Sequence, residues 1–181
     1  QGYRFVPQPN EVASVVLGKS TWAVLALTCH IELFTQAHYR SSVEPDENLS
    51  DLFKDVLLFH WKEESQHAIL DELEWQREDG KLTADQRDRA VDDLIALVAA
   101  VDGILRAQAA ADVDYFVAVC ERQFTPAEVE RLRAGVLKAY RWQYIVSGVQ
   151  EPRFSALLGA MITPEHSQRI GFALGPVMGN A

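Results

Sequence analysis

The stretch FHWKEESQH, residues 59–67, decides the fold prediction because its polar side chains recur at helical spacing. His60, Glu64 and His67 stand at i, i+4 and i+7, which places them within about 60° of one another around an α-helix. Asp71 extends the same row by one turn. The surrounding pattern predicts one long helix from about Asn48 to Arg77.

Helical patterns continue on both sides of this segment. Residues 1–10 predict an extended lead-in, since they contain two prolines and no period. The largely apolar run that follows predicts a helix from Ser20 to Arg40, with Ser20 or Thr21 as its N-cap. Residues 41–50 read as a loop, and Gly80 ends the long helix after it.

Two capping boxes mark the later helices. Thr83 with Gln86 starts a helix to about Glu121, and Thr125 with Glu128 starts another that ends at Gly148. Two short helices complete the chain, at residues 152–161 and from Thr163-Pro164 to Gly175-Pro176. The sequence therefore predicts one all-α domain over residues 1–181, an antiparallel bundle of four long helices plus two short C-terminal helices.

Composition excludes several classes of protein. The net charge of −9 argues against a nucleic-acid-binding surface and against attraction to anionic membranes. No apolar run reaches the roughly 18 residues of a membrane-spanning helix. Cys29 and Cys120 lie too far apart for a metal knuckle and are predicted to be buried free thiols, which fits a cytoplasmic protein.

Nucleotide and haem cofactors are not expected either. Gly18-Lys19-Ser20 lacks the first glycine of a P-loop, and no strand precedes it. No spacing suggests a Ser-His-Asp arrangement, and neither cysteine has a base nearby in sequence.

A carboxylate–histidine metal site is the one chemical function that the pattern favours. Glu64 and His67 form a Glu-x-x-His pair, and His60 adds a nitrogen one turn earlier. Glu32 lies inside an apolar helix, where a carboxylate without a partner would be costly. Because the two helices are predicted to be antiparallel neighbours, Glu32 and Glu64 should lie at similar heights.

Glu32 followed by His60-x-x-x-Glu64-x-x-His67 resembles the second half of the ferritin-like di-iron N-oxygenases of the para-aminobenzoate N-oxygenase type, over Ser20 to Arg77. The resemblance implies a ferritin-like core, two irons and oxygen activation. It also implies that Glu32 and Glu64 are carboxylate ligands and that His60 and His67 are nitrogen ligands.

Glu and His ligands without a thiolate favour iron, with manganese as the alternative. A dinuclear site of this kind predicts an oxidase or oxygenase that uses dioxygen on a small molecule, which the sequence does not identify. Asp71 is placed to accept a hydrogen bond from a ligand histidine.

A di-iron site needs a further Glu and a second Glu-x-x-His, and the sequence contains no second Glu-x-x-His. Four explanations stay open. The first half precedes Gln1; two chains pair as a homodimer about a two-fold axis; Asp112 or Asp102 completes a mononuclear or asymmetric site; or the site is vestigial.

Other polar residues have weaker claims. Gln108 and Asp112 lie on a core stripe and are candidates for an extra ligand or a second shell, although pairing of Asp112 with an arginine or a tyrosine hydroxyl is favoured. Asp102 and Arg106 predict an i, i+4 ion pair. A possible pocket is formed by Gln108, Tyr140, Gln143 and Tyr144.

Two rival functions use no metal. One is a non-enzymatic helical structural protein, and the other is a small-ligand-binding bundle that uses the Tyr140–Tyr144 region. The orientation of Glu32 separates them from the metal hypothesis. Glu32 should face His60, Glu64 and His67 if the site is real, and should point to an arginine if it is not.

Overall fold

The computed structural model describes Tyr3 and residues 6–179, and within these residues it contains helices and no strand. The all-α prediction is confirmed. The helices are α1 Pro9–Leu17, α2 Thr21–His38, α3 Asp51–Asp79, α4 Ala84–Val119, α5 Pro126–Arg141, α6 Ser147–Gln150, α7 Pro152–Met161 and α8 Pro164–Met178.

The predicted capping residues start the long helices. The hydroxyls of Thr83 and Thr125 accept the backbone N–H of Gln86 and Glu128, and both side chains reach back to complete capping boxes. Ser50 caps α3 in the same way by accepting from Phe53. These local bonds satisfy N–H groups that a helix leaves free in its first turn, so the boundaries follow from short-range chemistry.

The N-terminal segment differs from its prediction. Pro9 stands at the first position of α1, where its missing N–H costs nothing, and α1 runs to Leu17 before Gly18. The expected extended lead-in is therefore wrong for Pro9 and Asn10. Gln1, Gly2, Arg4 and Phe5 lie outside the described residues.

Two predicted helix ends are also wrong. Gly148 does not end a helix but lies within α6, where a Cβ atom would come 2.4 Å from Cε1 of His30. Glycine is needed there for close packing. Helix α8 continues through Pro176 to Met178, because a proline in the last turn removes only one helical hydrogen bond.

Helix α2 lies at the centre of the fold and packs against α3, α4, α6 and α7. Trp22 of α2 meets Trp75 of α3 edge to face, with 5.2 Å between ring centroids, and Trp75 stacks on Phe154 of α7. Both tryptophans are fully buried. This aromatic cluster fixes the α2–α3 hairpin that carries the predicted metal ligands.

Helix α3 is covered on one side only. It packs mainly on α2 and lightly on α7, and Ala68 and Trp75 are its buried residues. The arrangement is that of a helical bundle, while the specifically ferritin-like order of the helices stays a prediction.

Helix α4 is long and apolar enough to cross a membrane by length and composition alone. Its best 18-residue window has a mean hydropathy of 1.6 and is 28% buried. The core helix of a soluble protein passes the same test, and α4 contributes Val91, Leu94 and Leu97 to the core. The expected absence of a spanning segment therefore stays a prediction.

Candidate metal centre

The α2–α3 hairpin holds the candidate ligands in an antiparallel register. Thr28 of α2 lies close enough to the carboxyl group of Asp71 to lower its pKa, and Glu32 lies one turn further along beside Glu64. After another turn, Nε2 of Gln36 donates to the backbone oxygen of Glu64 over 3.0 Å. Residues spaced by four on α2 therefore lie along α3 between Asp71 and Glu64, in the antiparallel register that the sequence predicts.

Three of the four predicted ligands converge. Glu32, Glu64 and His67 each offer a ligand atom, and these atoms lie within 4.8 Å of one another. Nδ1 of His67 is 2.8 Å from Oε2 of Glu64, and Nδ1 of His60 is 3.3 Å from Oε1 of the same carboxylate. His60 thus contacts Glu64 but lies outside the tightest group.

The carboxyl groups perturb each other. Burial, a hydrogen bond with Glu64 and the nearby Glu64 and Asp71 charges raise the pKa of Glu32 to about 7. The same hydrogen bond, together with His67 and His60, lowers the pKa of Glu64. The Glu64 carboxylate raises the pKa of His67 in turn. With these pKa values the two carboxyl groups would share a proton near pH 7, and a nearby cation would favour both charged forms instead.

No lysine or arginine within the described residues forms an ion pair with Glu32 or Glu64. Glu32 instead faces Glu64 and His67, which is the orientation that the metal hypothesis requires. Half-buried carboxylates gathered without a cationic side chain fit a divalent cation, which would replace the shared proton. The donor set of oxygen and imidazole nitrogen fits iron or manganese.

Asp71 lies beside the cluster. Burial raises its pKa, while a hydrogen bond with Thr28 and the charge of His67 lower it. Asp71 thus lies on the side of α3 that faces Thr28 of α2. A hydrogen bond from a ligand histidine to Asp71 stays a prediction.

Asp112 and Gln108 belong to a different cluster. Asp112 accepts hydrogen bonds from Nε2 of Gln108 over 2.7 Å and from the hydroxyls of Tyr3 and Tyr140. The favoured pairing of Asp112 with a tyrosine hydroxyl is confirmed. The group of candidate ligands found among the described residues does not include it.

Asp102 forms the ion pair that its spacing predicts and a second one that the spacing does not. Its carboxylate lies 2.7 Å from Nε of Arg106 and 2.6 Å from Nε of Arg141, and Arg141 is buried. Because both oxygens have guanidinium partners, Asp102 serves the packing of α4 on α5 rather than a metal.

An apolar cavity lies on the opposite side of α2 from Glu32. Its volume is about 380 Å³, and it is lined mostly by apolar residues of α2, α4, α7 and α8 together with His30 and Tyr144. Of the four predicted pocket residues, Tyr144 lines this cavity and Gln108, Tyr140 and Gln143 do not. The predicted pocket is thus displaced towards His30.

Sequence reasoning missed Gln36, which donates a hydrogen bond to the backbone of α3, and Thr28, which lies near Asp71. Their spacing of four residues on each side of Glu32 is the signal that would identify them. It also missed the five-residue π-helical turn Tyr39–Val43 directly after α2, where Tyr39 stacks on Trp61. Such turns are frequent near functional sites.

Comparison with protein-family models, with curated proteins and with solved structures finds no match. The resemblance to di-iron N-oxygenases therefore depends on Glu32 and the His60–His67 motif alone. It stays a prediction.

Proposed function

We propose that this protein is a metal-binding helical-bundle protein whose α2–α3 hairpin holds iron, with manganese as the alternative. Glu32, Glu64 and His67 are the primary ligands, and His60 is a further nitrogen donor. The observation that supports this most is the convergence of two carboxylates and an imidazole within 4.8 Å.

The electrostatics of the hairpin support the same proposal. Burial raises the pKa of Glu32, and the neighbouring Glu64 and Asp71 raise it further, so a negative charge on Glu32 is unfavourable without a cation. A divalent cation removes that penalty and stabilises both carboxylates. Metal binding should therefore release the proton held between Glu32 and Glu64.

The proposed reaction is oxidation of a small molecule with dioxygen. Iron held by carboxylates and histidine supplies the one-electron and oxygen chemistry that protein side chains lack. The chain would hold the ions through the carboxylates of Glu32 and Glu64 and the imidazole of His67.

Metal content tests the proposal. Wild type, His67→Ala and His38→Ala should be purified without chelator or His-tag, loaded anaerobically with Fe²⁺ and measured by inductively coupled plasma mass spectrometry. His38 is the matched control because it is an exposed histidine on the same hairpin. About one iron or more per chain is expected in wild type and in His38→Ala.

Loss of most of this metal is expected in His67→Ala, because removing outer partners of ligands already weakens metal sites by roughly 10- to 100-fold. Metal-free wild type after iron and manganese loading would reject the proposal. Equal metal content in all three proteins would reject the assigned ligands.

Small-ligand binding is a second candidate, and the apolar cavity beside His30 and Tyr144 favours it. Filling the cavity with Val98→Trp tests this candidate separately from the metal. Binding of an apolar fluorescent probe should fall in this variant and remain in His67→Ala.

A further inference from the structure

The cavity on the far side of α2 has an apolar interior and a charged wall. Its volume is about 380 Å³, and its lining includes the buried side chains of Leu94, Ile145 and Phe154. Among the described residues that line it, Asp102 and Arg106 of α4 are charged. Small-molecule sites are concave and mostly apolar, with a few polar groups that fix the orientation of the ligand. The cavity therefore has the composition of a site for an amphipathic small molecule.

His30 adds no charge to the lining. Burial lowers the pKa of His30 to about 4, so its imidazole is neutral near pH 7. Nε2 of His30 lies 3.2 Å from the backbone oxygen of Tyr144, which can only accept a hydrogen bond, so Nε2 carries the proton. The ring meets that of Phe154 edge to face, with 5.1 Å between centroids. The region beside His30 is thus suited to the uncharged part of a ligand.

The wall at Arg106 carries an excess of positive charge. The carboxylate of Asp102 accepts hydrogen bonds from Arg106 and, through both oxygens, from the buried Arg141. Within the described part of the chain, neither arginine forms an ion pair with another carboxylate. Asp102 is also the one acidic residue within a helical turn of Arg106 on α4. Two cations and one anion leave one positive charge uncompensated at this wall.

Arg106 is placed to contact a ligand at the point where the cavity meets solvent. Its side chain is 58% exposed, and its Nε donates to Asp102. Its two terminal nitrogens make no hydrogen bond to any described residue. A guanidinium group binds a carboxylate through parallel N–H donors. A carboxylate at this position stays in contact with water, which avoids the cost of burying a charge.

A π-helical turn joins the apolar interior to the charged wall. The turn Trp142–Val146 carries Tyr144 and Ile145, and both line the cavity. Arg141, which holds Asp102, directly precedes the turn. Such turns occur frequently at functional sites. This segment therefore shapes both parts of the cavity at once.

We propose that this cavity binds an apolar carboxylic acid, with its hydrocarbon part among the apolar side chains and its carboxylate at Arg106. The inference rests on the small-ligand candidate above and does not depend on the metal site. At about 30 Å³ for each water-sized group, a volume of about 380 Å³ holds about a dozen non-hydrogen atoms. Decanoate has this size and serves as the probe.

Isothermal titration calorimetry tests the charge preference on the full chain in EDTA, with ligands below their micelle concentrations. Decanoate should bind roughly tenfold or more tightly than decylamine, which has the same chain and the opposite charge. Each CH₂ group added between hexanoate and decanoate should tighten binding about fourfold. The gain should stop beyond about a dozen carbons. A gain that continues to hexadecanoate would indicate adsorption to the surface and overturn the cavity assignment.

Substitutions test the assigned residue. Arg106→Gln should weaken decanoate binding by roughly tenfold and leave binding of uncharged 1-decanol unchanged. Arg77→Gln is the matched control, because Arg77 is 67% exposed and pairs with Glu74 on α3. It should bind both ligands as wild type does. Arg106→Lys should recover part of the loss, since it keeps the charge, and Val98→Trp should weaken binding of both ligands.

The outcomes separate this inference from the functions proposed above. Equal binding of decanoate and decylamine, or equal losses of decanoate and 1-decanol in Arg106→Gln, overturns the carboxylate assignment and leaves the small-ligand candidate standing. Wild type that binds none of these ligands overturns both and leaves the metal function standing. His67→Ala should bind decanoate as wild type does. Loss of decanoate binding in His67→Ala would place the ligand at the metal cluster and overturn the inference.

Discussion

Two groups of acidic residues in this fold have opposite surroundings. Asp102, on α4, lies between the guanidinium groups of Arg106 and Arg141, and these cations lower its pKa. Glu32 and Glu64, on the α2–α3 hairpin, have each other and two histidines as neighbours, and the pKa of Glu32 is raised to about 7.

This contrast distinguishes a structural ion pair from an open binding site. Both oxygens of Asp102 accept hydrogen bonds from guanidinium groups, so this carboxylate needs no further cation. The Glu32 group carries excess negative charge on a helix face that is partly exposed. A folded chain keeps such a group only at a cost, which is why it indicates a function.

The largest effect on stability is expected at the Asp102 group. Arg141→Met should lower the free energy of unfolding by about 3 kcal/mol, because breaking a buried pair leaves Asp102 with one exposed partner. Urea unfolding measures this loss. Metal content should stay at the wild-type value, and loss of metal in this variant would show that the two groups are coupled.

A buried histidine on the far side of α2 provides the next effect. Burial lowers the pKa of His30 to about 4. A folded-state pKa below the unfolded value of about 6.5 means that His30 contributes stability above pH 6.5, which is lost as the pH falls towards 4.

The loss attributable to His30 should reach about 3 kcal/mol. Urea unfolding at pH 7 and pH 4.5 should show a smaller difference for His30→Gln than for wild type. His38→Gln, which changes an exposed histidine, should keep the full difference. An unchanged pH dependence in His30→Gln would contradict the assignment.

A smaller effect is expected at the Asp112 cluster. Tyr140→Phe removes one of three hydrogen bonds to that carboxylate, while Tyr3 and Gln108 remain. The unfolding free energy should fall by about 1 kcal/mol. If Asp112 were instead an extra ligand, Asp112→Asn would reduce metal content, and we expect no reduction.

The smallest effect on stability is expected at the cluster of Glu32, Glu64 and His67. Glu64→Gln in metal-free protein should change the unfolding free energy by less than about 0.5 kcal/mol, because it removes a repelling charge and keeps the shape. The stabilisation that Fe²⁺ or Mn²⁺ gives wild type should disappear. A loss above about 2 kcal/mol without metal would make Glu64 a structural residue.

The helices and the ligand row could be predicted because their causes are local. Thr83 and Thr125 form their capping boxes within four residues, and His60, Glu64 and His67 share a face through helical periodicity alone. The predicted helix end at Gly148 is wrong; it was based on the frequent occurrence of glycine just after helix ends. Glycine is required at position 148 because the ring of His30, 118 residues earlier in the chain, leaves no room for a side chain.

The pocket was misplaced for a similar reason. Tyr140 is helically spaced with Tyr144, yet a hydrogen bond to Asp112 holds it in another cluster. Only Tyr144 lines the cavity beside His30. Periodicity shows which residues share a face, but the helix that meets this face depends on packing between distant segments.

The sequence by itself determined the all-α class, the main capping residues, the shared face of the Glu-x-x-His motif and the ion pair between Asp102 and Arg106. Each follows from contacts within a few residues. Only the tertiary structure decided that Glu32 faces Glu64 and His67 with no lysine or arginine of the described residues paired to it, and that Arg141 completes the Asp102 group. It also decided that apolar residues of α3 such as Leu52, Phe59 and Leu70 stay exposed. These features depend on how α2 packs against its neighbours, which local spacing does not specify.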